Sequence, residues 1–304
     1  MSSLSVDLGR LQLNNPLVPA SGTFFSLDRL PENYPLDALG AYLTKTITLH
    51  ERLGNPQPRI KECSSAILNS IGLENKGWKH FEKEKLPDLL DLKTQRWISI
   101  AGSKVEEYAE LCRLINPYDV DLIEINVSCP NVKEGGVQFC QHISSLREVL
   151  HQCRKYSRHF LLVKISIETS SFHEAIKTIL DEGADAVCIG NTLQGLSIDI
   201  HHARPFFKNI MAGYSGPAIK PLALRRVWEA RKYAPILPIV GCGGISNYED
   251  VIEFLMAGAQ VVEIGTAHFL NPMIIPQIKE DLHQYCTNKN CILSGLINIA
   301  HQEA

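Results

Sequence analysis

Cys129 stands in the run Asn126-Val127-Ser128-Cys129-Pro130-Asn131-Val132-Lys133-Glu134-Gly135-Gly136. A cysteine followed by proline and set between two asparagines reads as a loop residue rather than a small hydrophobe of a core. Its thiolate would be a base or a nucleophile. Asparagine carries both a donor and an acceptor, so Asn126 and Asn131 match the amide and carbonyl edges of a planar heterocycle. Lys45 and Lys164 each interrupt an apolar run. An unpaired buried ammonium is costly, so each needs either a carboxylate of the protein or an anionic ligand. Two glycine-bearing segments, Gly241-Cys242-Gly243-Gly244-Ile245 and Gly265-Thr266-Ala267, would let backbone N–H groups approach a phosphate, although tight turns also require glycine.

The elements that must hold these groups recur along the chain. Short apolar, β-branched runs lie at 17–20, 41–46, 97–101, 122–127, 160–165, 186–190, 238–241 and 261–265. Each is nearly continuous in apolar residues, as parallel strands covered on both faces are. Helical periodicity follows at 105–115, 172–180 and 248–256, with Ser170, Ser171 and Asn247 as candidate N-caps and Gly183 as a C-terminal stop. Eight strand–helix alternations predict an α/β fold, a (β/α)8 TIM barrel. An open doubly wound sheet is disfavoured, because no glycine fingerprint follows the first strand. Residues 5–13 read as an N-terminal β-hairpin capping the barrel floor, turning at Gly9-Arg10, and 49–87 is a long insertion after strand 2. Active sites of such barrels lie at the carboxyl ends of the strands. Standing there are Ser21, Lys45, Thr46, Ser99, Asn126, Lys164, Asn191, Thr192, Gly243, Gly244, Gly265 and Thr266.

Composition narrows the classes. Of 304 residues 45% are hydrophobic and 21% charged, the formal net charge is −3, and no basic run stands out, which argues against a nucleic-acid or polybasic membrane surface. Residues 1–13 lack the pattern of a secretory signal, and the apolar stretches are too short for a bilayer span. The nine cysteines are odd in number and scattered, so a reducing, cytoplasmic setting is expected, and no pair of cysteines has the second pair a zinc site needs. With no linker composition, residues 1–304 are expected to form one domain.

Several blocks, in order, resemble the class 1 dihydroorotate dehydrogenases from residue 4 to about residue 270. They are Asn15-Pro16-Leu17-Val18-Pro19-Ala20-Ser21-Gly22-Thr23, Lys45-Thr46-Ile47-Thr48, Gly54-Asn55-Pro56-Gln57-Pro58-Arg59, Leu68-Asn69-Ser70-Ile71-Gly72-Leu73, the Cys129 loop, Ser215-Gly216-Pro217-Ala218-Ile219-Lys220-Pro221 and Gly243-Gly244-Ile245. The tail Val132-Lys133-Glu134-Gly135-Gly136 is similar to the 1B branch. The resemblance implies oxidation of dihydroorotate to orotate in pyrimidine (UMP) biosynthesis, with FMN as cofactor, no metal, and Cys129 as catalytic base. It implies FMN contacts from Ser21, Lys45, Thr46, Ser99, Asn126, Lys164, Gly190, Gly216, Gly243, Gly244, Gly265 and Thr266. It implies substrate contacts from Lys45, Asn69, Ser70, Ile71, Gly72, Leu73, Asn126, Asn131, Asn191 and Thr192. Lys164 would then lie near flavin N1–C2. A homodimer is implied, and for the 1B branch a heterotetramer with an electron-transfer subunit carrying FAD and a [2Fe–2S] cluster that passes electrons to NAD.

Some positions depart from the family pattern. Ser99 stands where an asparagine is usual, Ile165-Ser166-Ile167-Glu168 replaces Leu-Ser-Pro-Asn, Gly190 replaces a larger aliphatic residue, and Phe139-Cys140-Gln141-His142 follows the base loop. Three other readings stay open: an FMN-dependent dihydropyrimidine-type oxidoreductase, a flavin-free lyase using Lys164 as a Schiff-base amine, and a diverged, non-catalytic FMN-binding paralogue.

Overall fold

All eight apolar runs are strands in the structure, a computed structural model that describes residues 3–128 and 139–302. Cys129 and Asn131 therefore lie outside the described residues. In chain order, β1 (Val6–Leu8) and β2 (Leu11–Leu13) precede β3 (Leu17–Pro19) and β4 (Ala41–Leu43). The insertion carries β5 (Ile60–Cys63), β6 (Ala66–Asn69), α1 (Trp78–Glu84) and α2 (Leu86–Leu90). Then β7 (Gln95–Ile100), α3 (Val105–Ile115), β8 (Leu122–Asn126), α4 (Ile143–Tyr156), β9 (Phe160–Ile165), α5 (Phe172–Asp181) and β10 (Ala186–Ile189) alternate. After β11 (Leu193–Leu196), β12 (Ile198–Asp199), β13 (Arg204–Pro205) and β14 (Met211–Ser215) come α6 (Lys220–Tyr233), β15 (Ile239–Cys242), α7 (Tyr248–Met256), β16 (Val261–Ile264), α8 (Ala267–Leu270) and α9 (Ile274–Lys289).

The eight-stranded sheet runs β3-β16-β15-β10-β9-β8-β7-β4, every pair parallel. Gly40 N–H donates to Leu17 O at 2.8 Å and brings the two ends of this order together. Strands such as β8, β9 and β16 are buried at every residue, because helices cover the outer face and side chains fill the inner one. The helices show why. In α3 the buried residues are Tyr108, Leu111, Cys112 and Ile115, and in α4 they are Leu146, Val149, Leu150 and Cys153. That spacing lays one stripe on the sheet, each fully buried large side chain contributing about 1.5–3 kcal/mol.

The N-terminal hairpin forms as expected, with Gly9 at φ +58° in its turn. The guanidinium of Arg10 lies 5.7 Å from the ring of Phe160, the first residue of β9, so the hairpin covers the amino end of the barrel. Asn247 caps α7 by accepting from Asp250 N–H at 2.8 Å, whereas Ser171 sits at the N-cap of α5 without a side-chain capping bond. Among the described residues no helix is long and apolar enough to cross a membrane.

At the carboxyl end of the barrel the insertion does not stand alone. Its hairpin β5–β6 joins β14 and β11 in an antiparallel sheet of order β11-β14-β6-β5. The segment after β10 was not expected to hold strands. Its pattern of half-buried and exposed residues is explained only by the partner strand β6, far away in sequence.

Candidate active site

The carboxyl end of β8 is fixed from behind and from the side. Tyr108 O–H, from α3, donates to the backbone carbonyl of Asn126 at 2.9 Å. The Asn126 side-chain oxygen accepts from Ser128 N–H at 3.3 Å and Ser128 O–H at 3.0 Å, and Asn191 Nδ2 donates to Ser128 Oγ at 2.7 Å. Asn126, Ser128 and Asn191 are thus one interlocked group across the ends of β8 and β10. Cys140 N–H donates to Val127 O at 3.4 Å, just past the end of β8.

Below this group lies a polar layer in an otherwise apolar interior. Thr46 and Ser99 share a hydrogen bond of 2.8 Å, Ser99 O–H donates to Glu124 Oε1 at 2.6 Å, and Thr46 also reaches Ser21 Oγ at 3.4 Å. Lys164 lies between two carboxylates, Glu263, with which it makes the shorter contact, and Glu124 at 3.5 Å. Both glutamates are fully buried and the lysine is 3% exposed. Dehydration works against the ammonium, but Glu124 and Glu263 outweigh it and hold the Lys164 pKa well above the ordinary lysine range. Burial, and then Glu124, push the Glu263 carboxyl well above its usual range. One ammonium balances one carboxylate, so a dry layer is cheapest when the second acid group carries a proton. Two thiols complete the layer. Burial, then the Cys242 thiol, push Cys188 well up, while the hydrogen bond from Cys188 holds Cys242 down at about 7.

Of the two answers open for a lysine in an apolar strand, Lys164 takes the carboxylate. Its partners Glu124 and Glu263 were not singled out from the sequence, although an acid in the middle of LIEIN and of VVEI is as anomalous as the lysine itself. Glu124, Cys188 and Glu263 bring potential ligand atoms within 4.8 Å of one another, but the Lys164 ammonium already supplies a cation there.

Lys45 takes neither answer from the described residues. It is exposed, at the end of β4, and makes no ion pair among them. The walls of the mouth dehydrate it and lower its pKa, Glu74 opposes that and Arg59 adds to it. An open, partly dehydrated cation is what an anionic ligand would meet. Beside it, the antiparallel sheet brings Asn69 and Thr192 together: Asn69 Nδ2 donates to Gly213 O at 3.3 Å, and Gly213 packs directly on the Thr192 side chain. Ile71 and Leu73 are half-buried, Leu73 at φ +56°. Ser70 is 1% exposed and its hydroxyl accepts from Asn55 at 3.0 Å, so its side chain braces the 69–73 loop. Gly72 is likewise buried, against Asn55.

Cys242 pairs with Glu263 in register, which places the two glycine segments side by side at the ends of β15 and β16. Gly243 and Gly244 have φ of +128° and +77°, and a Cβ on Gly244 would fall 2.6 Å from Lys220 N. Gly265 and Thr266 are half-buried beside them, and Gly216 is buried against the backbone of Ser65 and Ala66. Behind Gly265, His268 Nδ1 lies 3.1 Å from the Gly265 carbonyl, and burial lowers the imidazole to about 4, so it stands neutral there. Gly190 has φ +138°, and any Cβ would strike the Cys242 carbonyl. The absence of a larger residue at 190 is therefore what this backbone requires. Replacing Gly190 by Ala is expected to cost about 2–4 kcal/mol, because strain and overlap act together. Urea unfolding monitored by circular dichroism reads this; a change under about 0.5 kcal/mol would contradict it.

Comparison with known proteins decides what this mouth belongs to. The dihydroorotate dehydrogenase family profile matches residues 3–286. The chain belongs to the dihydroorotate dehydrogenase family. It is 38% identical over 292 residues to the dihydroorotate dehydrogenase B (NAD(+)) catalytic subunit of Bacteroides fragilis, covering 96% of each chain. With the protein of the same name from Thermoanaerobacter pseudethanolicus it shares 41% identity over 288 residues, 95% of each. These likenesses place it with the B-type, class 1B catalytic subunits. The crystal structure of a DHODH in complex with ferulenol, from Eimeria tenella, has the same fold, with a TM-score of 0.80 at 21% identity over 99% of this chain and 89% of that one.

Proposed function

We propose that this dihydroorotate dehydrogenase oxidises dihydroorotate to orotate with FMN bound in the barrel mouth and Cys129 as the base. The observation that carries the reading is the convergence of Lys45, unpaired among the described residues, the Asn126–Ser128–Asn191 group and two adjacent glycine loops at one end of one barrel. The donor set suits FMN. Backbone N–H groups of Gly243, Gly244, Gly265 and Thr266 suit a phosphate, with the backbone of Gly216 and Gly190 beside them as further FMN contacts. Ser21, Thr46, Ser99, Asn126 and Lys164 lie deeper, on the floor that a flavin would cover. When bound, FMN supplies the hydride acceptor.

The chain's own residues do the rest. Lys45 offsets the carboxylate of the substrate. Asn69, Asn126, Asn131, Asn191 and Thr192 hold the amide and carbonyl edges of its ring, with Ile71 and Leu73 against its face and Ser70 and Gly72 shaping the loop. Cys129 takes the C5 proton from one face of that ring while C6 gives up its hydride on the other. The relatives are named catalytic subunits, and we propose a homodimer of this chain joined by a subunit carrying FAD and an iron–sulfur cluster, which passes electrons to NAD.

An anaerobic absorbance titration of the purified protein tests the reading. A flavin spectrum bleached by stoichiometric dihydroorotate, and untouched by dihydrouracil, is expected. Colourless protein, or bleaching by dihydrouracil alone, overturns it.

A further inference from the structure

We propose that His268 is a positioning residue for the phosphate of FMN: its imidazole holds the Gly265 carbonyl inside the turn that opens α8 and so turns the Thr266 N–H outward, toward the anion. The inference rests on the FMN site proposed above.

The peptide between Gly265 and Thr266 carries both groups. In a trans peptide the C=O and the following N–H point in opposite directions, so whatever fixes one fixes the other. The Gly265 carbonyl is fixed twice by one residue. His268 N–H donates to it at 3.0 Å, and Nδ1 of the same residue lies 3.1 Å away. A carbonyl only accepts, so Nδ1 carries the proton of the neutral ring, and both lone pairs of that oxygen are engaged. The Ile264 carbonyl also faces the imidazole, and it accepts from Ala20 N–H at 2.8 Å beside the pairing of β16 with β3. The ring therefore ties the end of the strand to the start of the helix.

Aromatic packing sets the direction of the ring. Buried His268 stands edge-on to Phe24, with ring centroids 5.2 Å apart, and Phe24 in turn packs against Tyr34 and Tyr42. On the other side of the peptide the situation reverses. Among the described residues, the N–H groups of Gly265 and Thr266, and of Gly243 and Gly244 on the neighbouring loop, make no hydrogen bond. These positions are only half-buried, and a ligand anion would collect their donors together. Without the imidazole, the backbone bond alone would let the peptide rock. FMN would then have to order it on binding, and that ordering is deducted from affinity.

Two substitutions separate the donor from the ring. Asparagine carries its amide nitrogen as many bonds from Cα as Nδ1, so His268→Asn keeps a donor there, whereas His268→Phe keeps a ring and loses the donor. FMN released on serial dilution of the purified protein, read by flavin fluorescence, gives the dissociation constant. His268→Phe is expected to hold FMN about three- to tenfold more weakly than the parent, the range that one neutral hydrogen bond commands, and His268→Asn to stay within about twofold. Phosphorus NMR of the bound flavin isolates the phosphate from any general loosening of the fold. Its resonance should move toward that of free FMN in His268→Phe and keep the parental position in His268→Asn. Parental affinity and resonance in His268→Phe, or His268→Asn as weak as His268→Phe, overturns the inference. Should His268→Phe not be obtained folded, His268→Leu carries both measurements, with the same direction expected. Parent protein purified without flavin would instead overturn the FMN site itself, and this inference with it.

Discussion

Replacing Cys129 by alanine is expected to slow reduction of the flavin by dihydroorotate at least about 100-fold while FMN remains bound, since a positioned general base contributes roughly that much or more. The site explains why the two effects separate. The groups proposed for phosphate lie on the β15 and β16 loops, across the barrel from β8. Anaerobic stopped-flow absorbance reads the rate, and the flavin content of the purified variant reads the binding. In the parent the rate should rise with pH as a thiol near about 8.5 ionises, and the alanine variant should lose that dependence. Reduction at the parental rate would remove Cys129 from the mechanism.

Replacing Lys164 by methionine is expected to destabilise the fold by about 3–5 kcal/mol at neutral pH, the usual cost of stranding a buried partner of opposite charge. Here two fully buried acidic side chains lose the only cation they meet among the described residues. The pH dependence has a definite sign. Burial already raises the Glu263 carboxyl above its usual range, and loss of Lys164 removes the group that pulls it down. A carboxyl with a raised folded-state pKa favours folding below its unfolded value, near about 4.3, and that contribution disappears as pH rises through the folded value. The penalty in the variant should therefore shrink from pH 7 toward pH 5. Urea midpoints across that range measure it, and a penalty that grew on acidification would reject the charge layer as its origin.

Much of the barrel was legible because its determinants are local. Continuous apolar runs mark β8, β9 and β10, and the four-residue rhythm of Tyr108, Leu111, Cys112 and Ile115 marks α3. The polar residues at the strand ends could be named for the same reason: a strand's length tells which residue stands at its mouth. What could not be read locally was pairing. β11 and β14 look like loop until β6 is beside them, and Glu263 is only an oddity in VVEI until register sets it against Lys164. Gly190 shows the same limit, since its departure from a larger residue is explained by the carbonyl of Cys242, a residue on another strand.

The four-stranded sheet over the mouth ties the order of assembly to the order of synthesis. Asn69 pairs with Gly213, so the first half of this platform must wait for a strand 144 residues downstream before it finds its mate. Closing so long a span costs entropy that no neighbouring contact returns at once, which delays such pairings relative to local helices. A nascent chain halted before residue 211 already holds Lys45 and the β8 residues, yet lacks the strand that seats Asn69. Ligand-binding competence is in this way reserved for chains extended past β14.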